Sequence, residues 1–166
     1  IAGPTILSGM TYINKTFDRG DTSIKAFLKG IKANFKRGIL SFLFSAIIYA
    51  ILILDIVFFL NRSQNYIMMI ITIFFFYMII LFSMMQIYFW GLLTIQQETS
   101  FIQIIKRSFL LVLDNILESI IIFLFLLVVF VLNIVLAFIT PFFLFTVISL
   151  TIMIMTRNIL EKYDAN

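Results

Sequence analysis

The chain contains no cysteine and no histidine. Without cysteine it can form neither a disulfide framework nor a thiolate site. Without histidine it lacks the most common general base and the most common metal ligand. It also has no Gly-rich phosphate loop, nucleophile elbow or Cys/His metal-binding pattern. These absences predict that the protein is not an enzyme and that it carries neither a metal nor another cofactor.

Charge is scarce as well. Charged residues make up 12% of the chain and hydrophobic residues 63%, whereas about a quarter of the residues in soluble domains are charged. Several apolar runs exceed the ~20 residues that a helix needs to cross a bilayer. We therefore predict an all-α, polytopic helical membrane protein with a single transmembrane domain over residues 1–166.

The apolar runs predict where the helices cross the membrane. The run over 109–155 would be about 70 Å long as one helix, twice a bilayer, so it must fold back. Asn133 and Pro141 are its candidate breakers, which places the turn between them. The chain opens at Ile1 in an apolar stretch without a positive n-region, which predicts a missing upstream span, with a processed N-terminus as the alternative. The predicted helices are a short one at about 4–17 and spans at about 39–60, 67–95, 109–132 and 138–156.

A basic amphipathic stretch precedes the first long apolar run. Over residues 23–37, apolar and basic residues each recur at helical spacing and form opposite stripes of one helix. Such a helix lies in the headgroup region of an anionic leaflet. We therefore predict a cytoplasmic-side amphipathic interfacial helix, with anionic lipid headgroups as a partner. The residues predicted to contact those headgroups are Lys25, Lys29, Lys32, Lys36 and Arg37.

The distribution of basic residues predicts the topology. With the amphipathic helix placed inside, eleven of the twelve Lys and Arg residues lie on the inner side, and Arg62 alone lies outside. This satisfies the positive-inside rule, so the basic helix and the C-terminus are predicted to be cytoplasmic in a multi-pass cell-membrane protein. The positive charge is thus explained by topology and does not indicate nucleic-acid binding. Tyr88 and Trp90 are expected at the headgroup level.

Four polar residues within the predicted spans are candidate functional residues, because a polar or ionised group exposed to lipid costs free energy. Asp55 is interpreted either as a coupling carboxylate on a substrate path or as a structural, bundle-facing residue that reaches the outer interface or pairs with Arg62. Asn133 is expected to form a hydrogen bond between helices, as most polar groups in such surroundings do. The four residues are Asp55, Asp114, Glu118 and Asn133.

Asp114 and Glu118 are four residues apart and are expected to share one helix face. They could form an acidic site for a cation or a basic partner. The alternative is a structural lock in which they pair with the lysines of the interfacial helix or with Arg107. Two carboxylates without a cluster of further oxygen ligands are a weak metal signal.

A weak internal repeat is present at an offset of 77 residues. Thr22-Ser23 then matches Thr99-Ser100, and Lys29 matches Lys106. Each copy has an inward helix, a Thr-Ser capped interfacial stretch and an outward helix, which is a parallel repeat of the kind found in some transporters. This pattern keeps open the alternative that the protein is a small transporter or channel in its own right.

Several short motifs resemble those of the YesL-like family of small bacterial multi-pass membrane proteins, a family of unknown function. The matching segments are Gly3-Pro4-Thr5, Ser23–Phe27 with Asn34–Lys36, Asp55 at the close of a span, Tyr88–Leu93 with Gly91 in place of a proline, and Arg157–Tyr163. The resemblance implies a missing first span and an association with carbohydrate uptake by ABC-type importers. The implied role is an accessory or regulatory component that contacts a permease. A structural or lipid-interacting protein is a further alternative.

Overall fold

The computed structural model describes the backbone of residues 2–17, 30–62, 65–96, 98–135 and 141–164. Within these ranges it describes the side chains of residues 3–16, 30–62, 65–96, 98–132 and 146–163. This part of the chain contains helices and no strand, which confirms the predicted all-α class. The helices are α1 (Ala2–Phe17), α2 (Phe35–Leu60), α3 (Tyr66–Ile95), α4 (Phe101–Asp114), α5 (Ile116–Val135) and α6 (Pro141–Asp164).

Helices α2 and α3 are long and apolar enough to cross a membrane. Their 26 and 30 residues correspond to about 39 and 45 Å, against about 30 Å of hydrocarbon. Helices α4 and α5 add a third crossing if the bent pair counts as one broken span. The chain is therefore a polytopic helical protein with two such helices, or three, in its described residues.

The buried core lies in one half of α3. Between Met84 and Thr94 every residue except Trp90 is buried, whereas Thr72 is the one buried residue between Tyr66 and Ser83. We call the end where α2 begins and α3 ends the basic end, and the opposite end, with the turn after α2, the hairpin end. Packing of α1, α4, α5 and α6 is concentrated around the basic half of α3. The hairpin half of α2 and α3 remains largely bare.

Two glycines allow helices to approach closely. A Cβ atom on Gly38 would lie 2.6 Å from Cα of Pro4, so the start of α1 packs directly on the backbone of α2. A Cβ atom on Gly91 would collide with the hydroxyl of Thr156, so α6 packs directly on α3. Small residues at helix crossings are typical of membrane proteins, where close van der Waals packing replaces the hydrophobic driving force between helices.

The predicted span over 109–132 is not one straight helix. Asn115 lies between α4 and α5 with φ −125° and ψ 49°, and the two helices are bent by 100°. Its side-chain Nδ2 donates to the carbonyl of Leu111 at 3.2 Å, a local bond that competes with helix continuation. The prediction that Asp114 and Glu118 share one helix face is therefore wrong, because the bend separates them.

Residues 23–29 of the predicted interfacial helix over 23–37 lie outside the described residues, and with them Lys25 and Lys29. Residues 30–33 are helical, but Asn34 interrupts the helix, and residues 35–37 belong to α2, which begins at Phe35. A continuous amphipathic helix over 23–37 is therefore not seen in its described part, and over 23–29 it remains a prediction. The side chain of Asn133 also lies outside the described part. Helix α5 ends at Val135 and helix α6 begins at Pro141, which fits the turn predicted between Asn133 and Pro141.

Replacing Gly38 by valine should separate α1 from α2. The added side chain meets the backbone of Gly3 and Pro4, which cannot move aside as a flexible side chain would. We expect the free energy of unfolding to fall by about 1–3 kcal/mol, as for other overpacked sites. Thermal unfolding of the detergent-purified protein measures this change.

The matched control is Gly30→Ala, because a Cβ atom there has no neighbour within 4 Å. Alanine also has the higher helix propensity, so this variant should be no less stable than the parent protein. Equal destabilisation by the two substitutions would show that the contact between α1 and α2 is not tight.

Candidate functional site

Helix α1 connects two helices that do not otherwise touch. Its first turn packs on α2, where Gly3 meets Gly38. Near its other end, Asn14 Oδ1 accepts a hydrogen bond of 3.0 Å from Nε of Arg157 in α6. Both α1 and α3 contact α2 and α6, whereas α2 and α6 have no contact with each other in the described residues. A gap therefore remains between α2 and α6.

This gap is a cleft of about 530 Å³, which we call the α2/α6 cleft. Its size falls within the ~300–1,000 Å³ range of small-molecule sites. No described residue of its lining is charged, and most are apolar. The lining residues are Ile6 and Met10 of α1; Phe42, Ser45, Ala46 and Tyr49 of α2; Gln86 and Trp90 of α3; and Ile148, Ser149 and Ile152 of α6.

Gln86 contributes to the α2/α6 cleft a buried amide with an unmet hydrogen bond. The side chain is 8% exposed; Oε1 lies 3.0 Å from the hydroxyl of Ser45, and Nε2 has no partner. That hydroxyl also lies 2.9 Å from the carbonyl of Ser41. The Ser45 hydroxyl has a single proton, which it can donate to Ser41 or to Gln86 but not to both. In either orientation of the Gln86 amide, one of its polar atoms therefore lacks a protein partner. An unmet buried group of this kind costs about 1–3 kcal/mol.

A second polar cluster lies at the bend between α4 and α5. Asn115 Nδ2 donates to the hydroxyl of Tyr163 at 3.1 Å, and that hydroxyl donates to Asp114 Oδ2 at 3.2 Å. Lys162 Nζ lies 3.5 Å from Oε1 of Glu118. The described partners of both acids therefore come from α6, not from Arg107 as one alternative expected. This cluster fastens the end of α6 to the bend.

Asp55 does not form the ion pair with Arg62 that one interpretation expected. The guanidinium of Arg62 lies over the ring of Phe58, 4.3 Å from its centroid. Asp55 is half-buried in α2 and has no hydrogen bond or ion pair to a described residue. Its carboxylate is therefore unmatched within the described part of the chain.

Arg37 has a structural role that the lipid-contact prediction missed. Its guanidinium donates to the carbonyls of Gln96 at 3.0 Å and Thr99 at 3.1 Å, which lie just after α3. Arg107 donates to the side chain of Gln96 at 2.8 Å from the other side. Lys32 and Lys36, in contrast, are exposed. Contact of these two lysines with lipid headgroups remains a prediction.

Some site residues were not identified from the sequence. Tyr88 was expected at the headgroup level, but it is fully buried and shares a 2.8 Å hydrogen bond with Ser119. Trp90, expected there too, lines the α2/α6 cleft. The signal that could have revealed the cleft is the placement of Ser45 and Tyr49 four residues apart, which puts two polar groups on one face of an apolar helix.

Comparisons with protein-family models, with curated proteins and with solved structures found no match to this chain. The resemblance to the YesL-like family therefore rests on the sequence motifs alone. At Gly91, where those motifs have a proline, α6 packs directly on α3. The described residues contain no group of three or more acidic side chains that could hold a metal ion. Chemically, the α2/α6 cleft can accept an apolar group and at least one hydrogen-bonding atom.

Replacing Arg37 by glutamine should destabilise the basic end. The change removes a charged donor from two carbonyls at the end of α3, and hydrogen bonds of charged groups are worth about 1.5–3 kcal/mol. Lys36→Gln removes the same charge from an exposed neighbour and should change stability by less than about 0.5 kcal/mol. Thermal unfolding in detergent compares the two. If Lys36→Gln proves as costly as Arg37→Gln, the net charge rather than the hydrogen bonds stabilises this end.

Replacing Tyr163 by phenylalanine should loosen the end of α6. The variant loses the hydroxyl that links Asn115 to Asp114, and we expect a loss of about 1–2 kcal/mol. Lys162→Met is the matched variant, because it breaks an ion pair whose side chains are 61% and 49% exposed. Exposed pairs contribute about 0–1 kcal/mol. A larger loss for Lys162→Met than for Tyr163→Phe in thermal unfolding would contradict this ranking.

Proposed function

We propose that the protein is an accessory or regulatory membrane component of a carbohydrate uptake system, and that it acts by helix contacts with a permease rather than by catalysis. The observation that supports this proposal best is the unmatched Asp55 in the bare half of the α2–α3 hairpin. The carbohydrate association comes from the resemblance to the YesL-like family. The positive-inside rule places the basic end of the bundle in the cytoplasm.

The surface around Asp55 fits a helix interface. In the hairpin half, Leu52, Ile56 and Thr72 are the buried residues of α2 and α3. Most of the other apolar side chains there are exposed, including Leu54 at 68%. Acyl chains can cover such apolar surface, but they provide neither a hydrogen bond nor a charge for a carboxylate.

Asp55 lies inside the hydrocarbon, where a carboxylate without a partner costs free energy. Asp55 lies five residues before Leu60, about 7.5 Å along the helix. With the 39 Å of α2 centred on a 30 Å hydrocarbon core, the Cα atom lies about 3 Å inside the hydrocarbon. A short aspartate side chain at that depth is stabilised by a donor or a cation from a neighbouring helix. A partner helix at this surface would supply it.

The transporter alternative has less support. A sugar presents many hydroxyl groups, whereas the α2/α6 cleft is lined mainly by apolar side chains and has no described charge. Asp55, proposed as a coupling residue for transport, is not part of that lining. A lipid-interacting role is favoured by the exposure of Lys32 and Lys36, and it is compatible with an accessory role.

The decisive experiment places a photo-crosslinking amino acid at Leu54 in cells that contain their native membrane proteins. We expect a covalent adduct with a polytopic protein, identified by mass spectrometry as a permease. Asp55→Leu should lower the adduct yield about tenfold, since a polar contact between helices in a membrane is worth about 1–2 kcal/mol. Asp55→Asn keeps hydrogen-bonding capacity and should lower the yield less.

The control carries the crosslinker at Leu117, which is 74% exposed on α5 and lies at the basic end. It should give lipid adducts without the permease band. The proposal fails if Leu54 and Leu117 give the same adducts, or if the Leu54 adduct is unchanged by Asp55→Leu. Recovery of the protein alone in mild detergent, without permease or ATPase, would also contradict it.

A further inference from the structure

We infer that the α2/α6 cleft is a binding site for an acyl-chain amphiphile whose hydroxyl or carbonyl group bonds to Gln86. This inference concerns the basic half of the bundle and does not depend on the proposed contact with a permease at Asp55. It rests on the size of the cleft, the chemistry of its walls, the unmet hydrogen bond of Gln86 and the depth of that residue.

The size of the cleft fits a small molecule. Its volume of about 530 Å³ lies within the ~300–1,000 Å³ range of small-molecule sites. A single hydrocarbon chain with a small polar group is of the size that cavities of this volume accept.

The walls select for hydrocarbon. Ile6, Phe42 and Ile152 present apolar surface from three different helices. Since no described lining residue is charged, the described walls offer no partner for a phosphate, a carboxylate or a cation, each of which would be buried unpaired. The hydroxyl of Tyr49 is already within 2.9 Å of Ser83. The ligand is therefore uncharged where it enters and mainly apolar.

Gln86 indicates which polar group the ligand carries. One atom of its buried amide lacks a protein partner, and the amide orientation decides whether that atom is a donor or an acceptor. A hydroxyl can serve either orientation, and an ester or amide carbonyl can accept from Nε2. Acyl glycerols carry both groups next to their hydrocarbon chain. One hydrogen bond at Gln86 and apolar contact elsewhere matches that chemistry.

The depth and the access of the cleft agree with this ligand. Gln86 lies nine residues before the end of α3, about 13.5 Å along the helix. With α3 centred on the hydrocarbon, it lies about 6 Å below the boundary at which acyl chains join their glycerol groups. Because α2 and α6 do not touch in the described residues, a chain can enter sideways from the bilayer.

The single tryptophan of the chain provides the measurement. Trp90 is the one tryptophan and lines the cleft, and bromine atoms quench its fluorescence only at short range. The full chain is reconstituted in unbrominated phosphatidylcholine vesicles and titrated with dibrominated stearoylglycerol. We expect saturable quenching that excess monooleoylglycerol reverses. A second series with dibrominated phosphatidylcholine as the host lipid distinguishes a single-chain ligand from an ordinary diacyl lipid.

Three variants locate the site. Ser149→Phe and Ala46→Phe fill the cleft from α6 and from α2 and should each abolish the saturable component. Gln86→Leu removes the amide and should raise the apparent Kd about three- to tenfold, the effect of one hydrogen bond. The control is Leu117→Phe, which adds the same ring to an exposed position of α5 and should leave the titration unchanged.

The inference is overturned if quenching rises linearly with brominated amphiphile and resists competition, because that describes lipid around the protein rather than a site. It is also overturned if the two cleft-filling variants bind as the parent does. Absence of any quenching at Trp90 overturns it as well, since no brominated chain would then come close to this wall of the cleft. The first and third results need only the parent protein, so they stand even where a variant fails to fold.

Discussion

The contact between the start of α1 and Gly38 is the constraint on which the arrangement of the bundle depends. Because neither Gly3 nor Gly38 has a side chain, the backbones of α1 and α2 meet directly. The other end of α1 is held on α6 through Asn14 and Arg157. Helix α1 therefore works as a strut that sets the distance between α2 and α6. The α2/α6 cleft exists because this strut holds the two helices apart while α3 closes the gap behind them.

The polar groups of the bundle satisfy one another mainly at the basic end. Arg37 and Arg107 bond to the segment that follows α3, and Asn115 and Tyr163 join the bend to α6. Buried polar groups are costly unless they are paired, so these bonds allow the chain to turn sharply within an apolar environment. Asp55, Gln86 and the buried hydroxyl of Ser8 are exceptions among the described residues, and the proposals above rest on the first two.

Local sequence patterns predicted much of the fold and less of the candidate site. Apolar runs longer than a bilayer predicted α2 and α3, and the Thr99-Ser100 pair, predicted to cap an interfacial stretch, contains the N-cap residue Ser100. The bend at Asn115 was missed because asparagine is tolerated within helices; here its side chain bonds both to the nearby carbonyl of Leu111 and to Tyr163, 48 residues away. The buried hydroxyl of Tyr88 likewise has its partner, Ser119, in another helix. Contacts between residues distant in sequence, which local patterns do not reveal, contribute to both.

The contact of Thr156 with Gly91 is a point about which α6 can tilt. Thr156 lies directly on the backbone of α3, and its hydroxyl is already bonded to Ile152 of its own helix at 2.7 Å. Thr156 therefore contacts α3 by van der Waals packing and not through a hydrogen bond, so this contact does not fix the angle between the two helices. Ser149 in the cleft and Tyr163 at the bend lie on opposite sides of it. A tilt of α6 about Thr156 would move Ser149 and Tyr163 in opposite directions. The width of the cleft would then change together with the position of the polar cluster at the bend.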